Sequence, residues 1–237
     1  MPAGLQDPPP PADPASLPLH LHANLQLEQS HITAYLSFSN LTLQHDRLFT
    51  ARGNKKQPWS RIEVPLGWIG PAIQSDLPSS HPFKHLWTQH SAQFTTLFEI
   101  LQLDAQKARQ ELMSKTALPN IQQYLCHASI GIAKPKSPAQ LLHQDWDSAG
   151  PPHSYWSLAV PITSHPNQGH TEFQLADNSF KTYPASYFWQ GHAWHKGGPN
   201  KSQLHRVVLF FAFLHPQHPS ANPDKDDNLP HKNAIPP

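Results

Sequence analysis

The amino-acid sequence predicts a mainly β protein in which helices precede a closed or double-layered sheet arrangement. From Ile121 onward, short apolar runs alternate with turn residues, which is typical of sandwiches and barrels with few exposed edges. Before them, residues 85–115 contain neither Pro nor Gly and place Phe94, Leu97 and Leu101 at helical spacing. Both halves therefore carry the apolar periodicity of regular secondary structure.

The elements follow in chain order. Residues 19–51 contain alternating or β-rich stretches, LHLHANLQL and HITAYLSFSNLTL, which predict a strand pair. Residues 53–82 are rich in Gly, Pro and Ser and predict a long, lid-like connection. The helical segment is either one long helix or two short ones broken near Leu103 and Asp104. Strands are predicted in the runs YLCHASIGIA, QLLHQDW, YWSLAVPIT, TEFQL, KTYPASYFW and HRVVLFFAFL.

Length and composition predict one domain between two disordered tails. A β-rich chain of 237 residues commonly forms a single core. Residues 1–18 and 216–237 are rich in Pro and polar residues, with too little apolar surface to offset the entropy of ordering. We expect a domain over 19–215, with N-terminal strands, lid and helices in 19–120 and the β core in 121–215.

Charge, hydropathy and cysteine content favour some classes of function and leave others without support. With 17 Lys and Arg against 16 Asp and Glu, the formal net charge of +1 gives no support for binding nucleic acid or an anionic membrane. No apolar run approaches the roughly 20 residues that span a bilayer. The lone Cys126 allows no internal disulfide, and the N-terminus lacks the features of a signal peptide. We therefore expect a cytoplasmic protein with a small-molecule substrate.

The His143-Gln144-Asp145 sequence and a distant His195 form the most informative pattern. Two imidazoles and one carboxylate can occupy one face of an octahedral metal and leave open positions, as in non-haem Fe(II) oxygenases. Residues i and i+2 of a strand point to the same side, so His143 and Asp145 can bind one ion together. His192 is the competing choice for the third ligand.

Three motifs together resemble the phytanoyl-CoA dioxygenase family of Fe(II)- and 2-oxoglutarate-dependent oxygenases over roughly residues 140–214. They are the HxD pair, the PNQG turn at 166–169, and the WHKGGPNKS run at 194–202 leading to Arg206. The resemblance implies a double-stranded β-helix, which is a jelly-roll of the cupin type, with Fe(II) at its mouth and 2-oxoglutarate and O2 as cosubstrates. It favours His195 over His192 as the distal ligand, which leaves His192 a supporting or substrate-facing role.

Arg206 and Thr171 are the candidate cosubstrate residues. Arg206 lies in an apolar strand, where its charge would be costly without a partner, although strand alternation alone also allows it to face solvent. A guanidinium donates two parallel hydrogen bonds to a carboxylate. The resemblance implies that Arg206 holds the distal carboxylate of 2-oxoglutarate and that the Thr171 hydroxyl bonds the cosubstrate. It also places Gly197 where some members have a serine.

Aromatic residues crowd the same region. Trp146 and Tyr155 are candidates for the substrate pocket, whereas Trp156 and Trp189 are better explained as barrel core. The resulting hypothesis is a dioxygenase that hydroxylates an unactivated C–H bond of a small organic molecule and releases succinate and CO2. The alternatives are a protein- or nucleic-acid-directed 2-oxoglutarate hydroxylase and a non-catalytic metal-binding jelly-roll protein.

Overall fold

The computed structural model describes residues 19–46, 50–51, 60–69, 86, 89–118, 120–145 and 153–219. Its helices are α1 (Gln29–Leu43) and α2 (Ser91–Thr116), with a 3₁₀ turn at Ile121–Gln123. Its strands are β1 (His20–His22), β2 (Thr50–Ala51), β3 (Arg61–Ile69), β4 (Leu125–Ala133), β5 (Tyr155–Pro161), β6 (Thr171–Gln174), β7 (Phe180–Tyr183), β8 (Tyr187–Gln190), β9 (His195–Gly197) and β10 (Arg206–Leu214).

The strands form two antiparallel sheets that face each other. Within the described residues, the large sheet has the order β1-β8-β5-β10-β4-β3-β2 and the small sheet the order β7-β6-β9. Phe173 of the small sheet packs edge-on against Tyr187 and Trp189 of the large one, with ring centroids 5.4 and 5.9 Å apart. The predicted mainly β, jelly-roll fold with flanking N-terminal helices is confirmed.

Alternation along β4 and β10 separates an apolar outer face from a more polar inner face. The two strands pair in antiparallel register, so Val208 lies beside Gly131 and Ala212 beside His127. The outer-facing side chains join α2 in the main core, and they are Cys126, Ala128, Ile130 and Ile132 of β4 and Leu209, Phe211 and Phe213 of β10. The inner face is left for His127, Ser129 and Arg206.

The strand pair predicted for residues 19–51 is only partly correct. Residues 20–22 form β1, but HITAYLSFSNLTL lies in helix α1. The side chains that α1 buries recur at helical spacing, and they are His31, Tyr35, Phe38, Ser39 and Thr42. Three of the five are polar, so an apolar pattern could not reveal this face.

Helix α2 is continuous through Asp104, where the sequence left a break open. The fully buried Asp104 carboxylate accepts hydrogen bonds from Tyr35 Oη at 2.7 Å and from His31 Nδ1 at 2.9 and 3.0 Å. Burial of Tyr35 and the nearby Asp104 carboxylate raise the pKa of the Tyr35 hydroxyl. The two helices are therefore joined by a buried polar contact as well as by apolar packing, because a buried carboxylate needs such donors.

The prediction of a long connection over residues 53–82 is wrong for 61–69. These residues form β3, which pairs with β4 along most of its length. Pro65 and Gly67, which suggested a loop, flank a register shift in this pairing, and Gly67 has a positive φ of 94°. The other parts of this lid-like connection, residues 53–59 and 70–82, lie outside the described residues.

The predicted tails fall mostly outside the described residues, which exclude 1–18 and 220–237. Residues 216–219 form a turn in which His218 is buried and its ring lies 5.6 Å from that of Tyr155. The packed chain therefore extends slightly beyond the predicted boundary at 215. None of the helices in the described part of the chain is long and apolar enough to cross a membrane.

We predict that Asp104→Ala lowers the free energy of unfolding, because it leaves two buried donors without an acceptor. Each such donor costs about 1–3 kcal/mol. Urea denaturation would measure the change, with Glu28→Ala as the control because Glu28 pairs with Lys107 of α2 on the surface. Equal stability of the two variants would contradict the structural role assigned to Asp104.

Candidate active site

Direct backbone pairing brings together the two histidines of the predicted metal site. His143 and His195 form an antiparallel bridge, with N–H to C=O distances of 2.9 and 2.8 Å in the two directions. Their rings consequently lie 4.5 Å apart between centroids. One ligand atom each from His143, Asp145 and His195 lies within 4.8 Å of the others. The predicted set is therefore assembled in the structure.

Hydrogen bonds orient each imidazole for metal binding. His143 Nδ1 donates to the Leu141 carbonyl at 2.8 Å, and His195 Nδ1 donates to the Ala193 carbonyl at 2.9 Å. A proton on Nδ1 leaves the Nε2 lone pair for a metal, and such outer contacts also fix the ring orientation. Both rings therefore present Nε2 for metal binding.

The carboxylate of Asp145 is oriented in the same manner. Its Oδ2 accepts hydrogen bonds from Ser157 Oγ and Trp189 Nε1, each at 2.9 Å, whereas its Oδ1 lies 3.4 Å from His195 Nε2. Ser157 and Trp189 are paired neighbours on β5 and β8. The sequence predicted Trp189 as core, which is where it lies, but it did not reveal the bond to Asp145.

Arg206 points inward at the start of β10, so the outward alternative is wrong. Its side chain is buried and lines the cavity that contains the metal-binding residues. Burial lowers its pKa, while Tyr187 and Glu172 act in the opposite direction. Within the described residues, its Nε has no hydrogen-bond partner, and Nη1 makes only long contacts with the Gln168 and Gly198 carbonyls at 3.4 and 3.3 Å. A buried cation with unused donors suits an anionic ligand.

The PN-x-S part of the sequence motif anchors the connection between His195 and Arg206. Asn200 is fully buried, and its Nδ2 donates to the carbonyls of Ala133, Lys134 and Leu204 at 3.0, 3.1 and 2.8 Å. Ser202 Oγ donates to Asn200 Oδ1 at 2.7 Å. Both residues hold the connection between β9 and β10 against the end of β4. This explains why Asn200 and Ser202 occur in the motif between His195 and Arg206.

Arg61 is a site residue that the sequence analysis missed. It comes from β3, is 4% exposed and lines the same cavity as Arg206. Burial, and to a smaller extent repulsion from Arg206, lowers the pKa of Arg61 to about 9. The alternation of charged and apolar residues in RIEV, with Arg61 and Glu63 on one face, was the signal that could have identified an inward-facing strand here.

The remaining predicted residues have different placements. Thr171 and Tyr155 line the cavity, and burial raises the pKa of Tyr187 while the nearby Thr171 side chain acts in the opposite direction. His192 lies exposed in the turn before β9 and is absent from the cavity lining, so a substrate-facing role for its side chain is not supported. Its carbonyl instead accepts a hydrogen bond from Gln144 Nε2. Trp146 lies outside the described residues.

The cavity around these residues has a volume of about 240 Å³. Arg61, Arg206 and Gly197 line one part of it, and Asp145 lies near the level of Ala212, because Ser157, which donates to its carboxylate, pairs with Ala212. The cavity therefore connects the metal-binding residues with two buried arginines, as a ligand that contacts both would require.

Comparisons with known proteins identify the fold. No known family pattern and no curated protein sequence matches the chain. Among solved structures, AviO1 from Streptomyces viridochromogenes Tue57 has a TM-score of 0.58 at 12% identity, covering 84% of this chain and 91% of AviO1. The non-haem alpha-ketoglutarate-dependent carbocyclase SnoK from nogalamycin biosynthesis has a TM-score of 0.54 at 14% identity, with 86% of both chains covered.

A third solved structure contains the ligands themselves. The epimerase SnoN, in complex with Fe3+, alpha-ketoglutarate and nogalamycin RO, has a TM-score of 0.51 at 13% identity, covering 83% of this chain and 78% of SnoN. Of these three structural neighbours, SnoK and SnoN are non-haem alpha-ketoglutarate-dependent enzymes. At such identities the similarity establishes the shared fold.

We predict that Ser157→Ala weakens metal binding although Ser157 is not a ligand. Losing a hydrogen bond that orients a ligating carboxylate typically lowers metal affinity about 10- to 100-fold. Ser129→Ala is the matched control, because it removes a buried hydroxyl from the same cavity without touching Asp145. Competition with a chelator would measure the Fe(II) affinity of both variants, and equal affinities would contradict the assignment.

Proposed function

We propose that this protein is a phytanoyl-CoA dioxygenase-like enzyme that uses Fe(II), 2-oxoglutarate and O2 to hydroxylate an unactivated C–H bond of a small organic molecule. Succinate and CO2 would be the co-products. The observation that carries the proposal is the placement of an inward-facing, buried Arg206 in the same cavity as the His143, Asp145 and His195 cluster. Binding of 2-oxoglutarate would need both, because its oxoacid end would chelate the metal and its distal carboxylate would need a cationic partner.

The residues present fit both groups. His143, Asp145 and His195 supply two neutral nitrogens and one carboxylate oxygen on one side of a common space, which is the donor set of non-haem Fe(II) sites. Arg206 would hold the distal carboxylate of 2-oxoglutarate through its unused Nε and neighbouring Nη2. When bound, iron and 2-oxoglutarate would supply the oxidising chemistry.

The protein's own contribution would be orientation and exclusion of water. Phe173 lies 5.5 Å from the His195 ring, and Trp189 lies 5.2 Å from it, so aromatic side chains cover one side of the ligand set. Thr171 lines the same cavity as the metal-binding residues and Arg206, so its hydroxyl can bond the cosubstrate. Apolar side chains around a reactive centre keep water away from it before the substrate binds.

The size and location of the cavity favour a small molecule as substrate. A volume of about 240 Å³ is below the usual range of drug-sized pockets and would be shared with the cosubstrate. Hydroxyl, imidazole and phenol groups of Ser129, His127 and Tyr155 line it, so the substrate class we propose is a compact organic molecule with polar substituents. The near-neutral net charge gives no support to a nucleic-acid substrate.

Succinate formation tests the proposal. Purified protein supplied with Fe(II), 2-oxoglutarate, ascorbate and O2 should form succinate slowly, and candidate substrates should accelerate it. His195→Ala should fall to the background without enzyme, because it removes a metal ligand. His192→Ala should retain wild-type turnover, since this nearby histidine is exposed and contributes only its carbonyl. Absence of succinate from iron-loaded, folded wild type would contradict the proposal.

A further inference from the structure

We infer that Arg61 is a second arginine of the cosubstrate site and that Arg61 and Arg206 together make the cavity selective for a dicarboxylate. The inference rests on the proposed function and deepens it. It assigns a binding role to the N-terminal strand β3, which the sequence motifs do not include. Each of the two arginines uses only some of its guanidinium donors for hydrogen bonds within the described part of the protein.

Arg206 leaves one complete edge of its guanidinium unused. Its Nη1 contacts the Gln168 and Gly198 carbonyls, while Nε is buried without a partner and Nη2 makes no hydrogen bond within the described residues. Nε and Nη2 lie on the same edge of the planar group, so together they can donate two parallel hydrogen bonds to one carboxylate.

Arg61 is held firmly but keeps one donor. Its Nε and Nη2 donate to the Pro138 carbonyl at 3.1 and 2.7 Å, and Nη2 also donates to the Gly198 carbonyl at 2.5 Å. These three contacts with backbone fix the direction of the guanidinium. Nη1 has no hydrogen-bond partner within the described residues, and it is thus positioned in advance for a ligand.

The remaining donors of both arginines converge beside Gly197. A Cβ at this position would lie 3.1 Å from Arg206 Nη2, 3.2 Å from Arg61 Nη1 and 2.5 Å from Gln140 Oε1. Both donors therefore lie near one point, so a carboxylate beside Gly197 can accept hydrogen bonds from both guanidinium groups. Glycine lets the two guanidinium groups and the Gln140 amide oxygen, which accepts from Gly197 N–H, approach this point, whereas any other side chain would begin within contact distance of all three.

The charges favour an anionic occupant for the same space. The two guanidiniums share the Gly198 carbonyl as an acceptor, and repulsion between them contributes to the lowered pKa of Arg61. Glu172 is near enough to act against the lowering of the Arg206 pKa, but it forms its ion pair with Lys196, and within the described part of the chain no carboxylate forms an ion pair with either guanidinium. Two buried positive charges need a negative partner, and a ligand whose far end is a carboxylate supplies it.

Calorimetric titration of anaerobic, Fe(II)-loaded protein with 2-oxoglutarate and with oxalate tests this inference. Oxalate can chelate a metal as the oxoacid end does but has no distal carboxylate. Because a hydrogen bond to a charged group contributes about 1.5–3 kcal/mol, Arg61→Gln should weaken 2-oxoglutarate about 10- to 100-fold. Its affinity for oxalate should remain that of wild type. Arg61→Lys should recover only part of the loss, since it retains charge but not the planar donor group.

Two further variants keep the test decisive if Arg61→Gln does not fold. Gly197→Ala places a methyl group where the donors converge and should also weaken 2-oxoglutarate but not oxalate. Arg109→Gln is the matched control, because Arg109 likewise donates to backbone carbonyls, those of Gln122 and Tyr124, but away from the cavity. It should change neither affinity.

The outcomes separate the inference from the proposed function. Unchanged 2-oxoglutarate affinity in Arg61→Gln or Gly197→Ala would overturn the role of Arg61 and leave the proposed function intact. Equal weakening of 2-oxoglutarate and oxalate would also overturn it, because it would indicate a merely structural arginine. Failure of the wild type to bind 2-oxoglutarate while it binds Fe(II) and oxalate would instead overturn the proposed function and, with it, the inference.

Discussion

The backbone pairing between the segment before Asp145 and strand β9 is the contact on which the site depends. His143 and His195 exchange both of their backbone hydrogen bonds, and the ladder continues to Gln140, whose N–H donates to the Gly197 carbonyl at 2.9 Å. The first pair brings two imidazoles together, and the second sets Gly197 beside the arginines. This short ladder therefore fixes the spacing between the metal-binding residues and the end of the cavity that Arg61 and Arg206 line.

A second constraint is the burial of positive charge at that end. The fold does not neutralise Arg61 and Arg206 with an ion pair from any described residue; it orients them with backbone carbonyls. Such carbonyls accept hydrogen bonds from some donors but carry no net charge. The remaining positive charge therefore favours an anionic ligand in the cavity. Strand β3 thus lines the cavity through Arg61 and also contributes side chains to the main core.

The parts of the site that the sequence predicted are those specified by residue type and short spacing. The HxD spacing indicated His143 and Asp145 as a pair of ligands, whereas the choice of His195 over His192 and the role of Arg206 came from the resemblance of residues 194–206 to a known family. Arg61 was missed because the Pro65 and Gly67 signals concealed β3, where they mark an irregularity in pairing and not a loop. A single sequence records no contact between strands so far apart along the chain.

Helix α1 was missed for a related physical reason. Its buried face carries His31, Ser39 and Thr42, and the acceptor that makes the burial of His31 favourable, Asp104, belongs to a different helix. Local apolar patterning cannot represent such a partnership. The outer face of the large sheet was easier to predict, because apolar alternation alone determines which side of β4 and β10 packs against α2.

Anaerobic visible spectroscopy gives the most direct test of the metal and cosubstrate site. Addition of 2-oxoglutarate to Fe(II)-loaded wild-type protein should produce the weak metal-to-ligand charge-transfer band of the chelate. The band should be absent from His143→Ala and present in His192→Ala. A folded, iron-loaded wild type that shows no band, or a His143→Ala variant that retains it, would contradict the account.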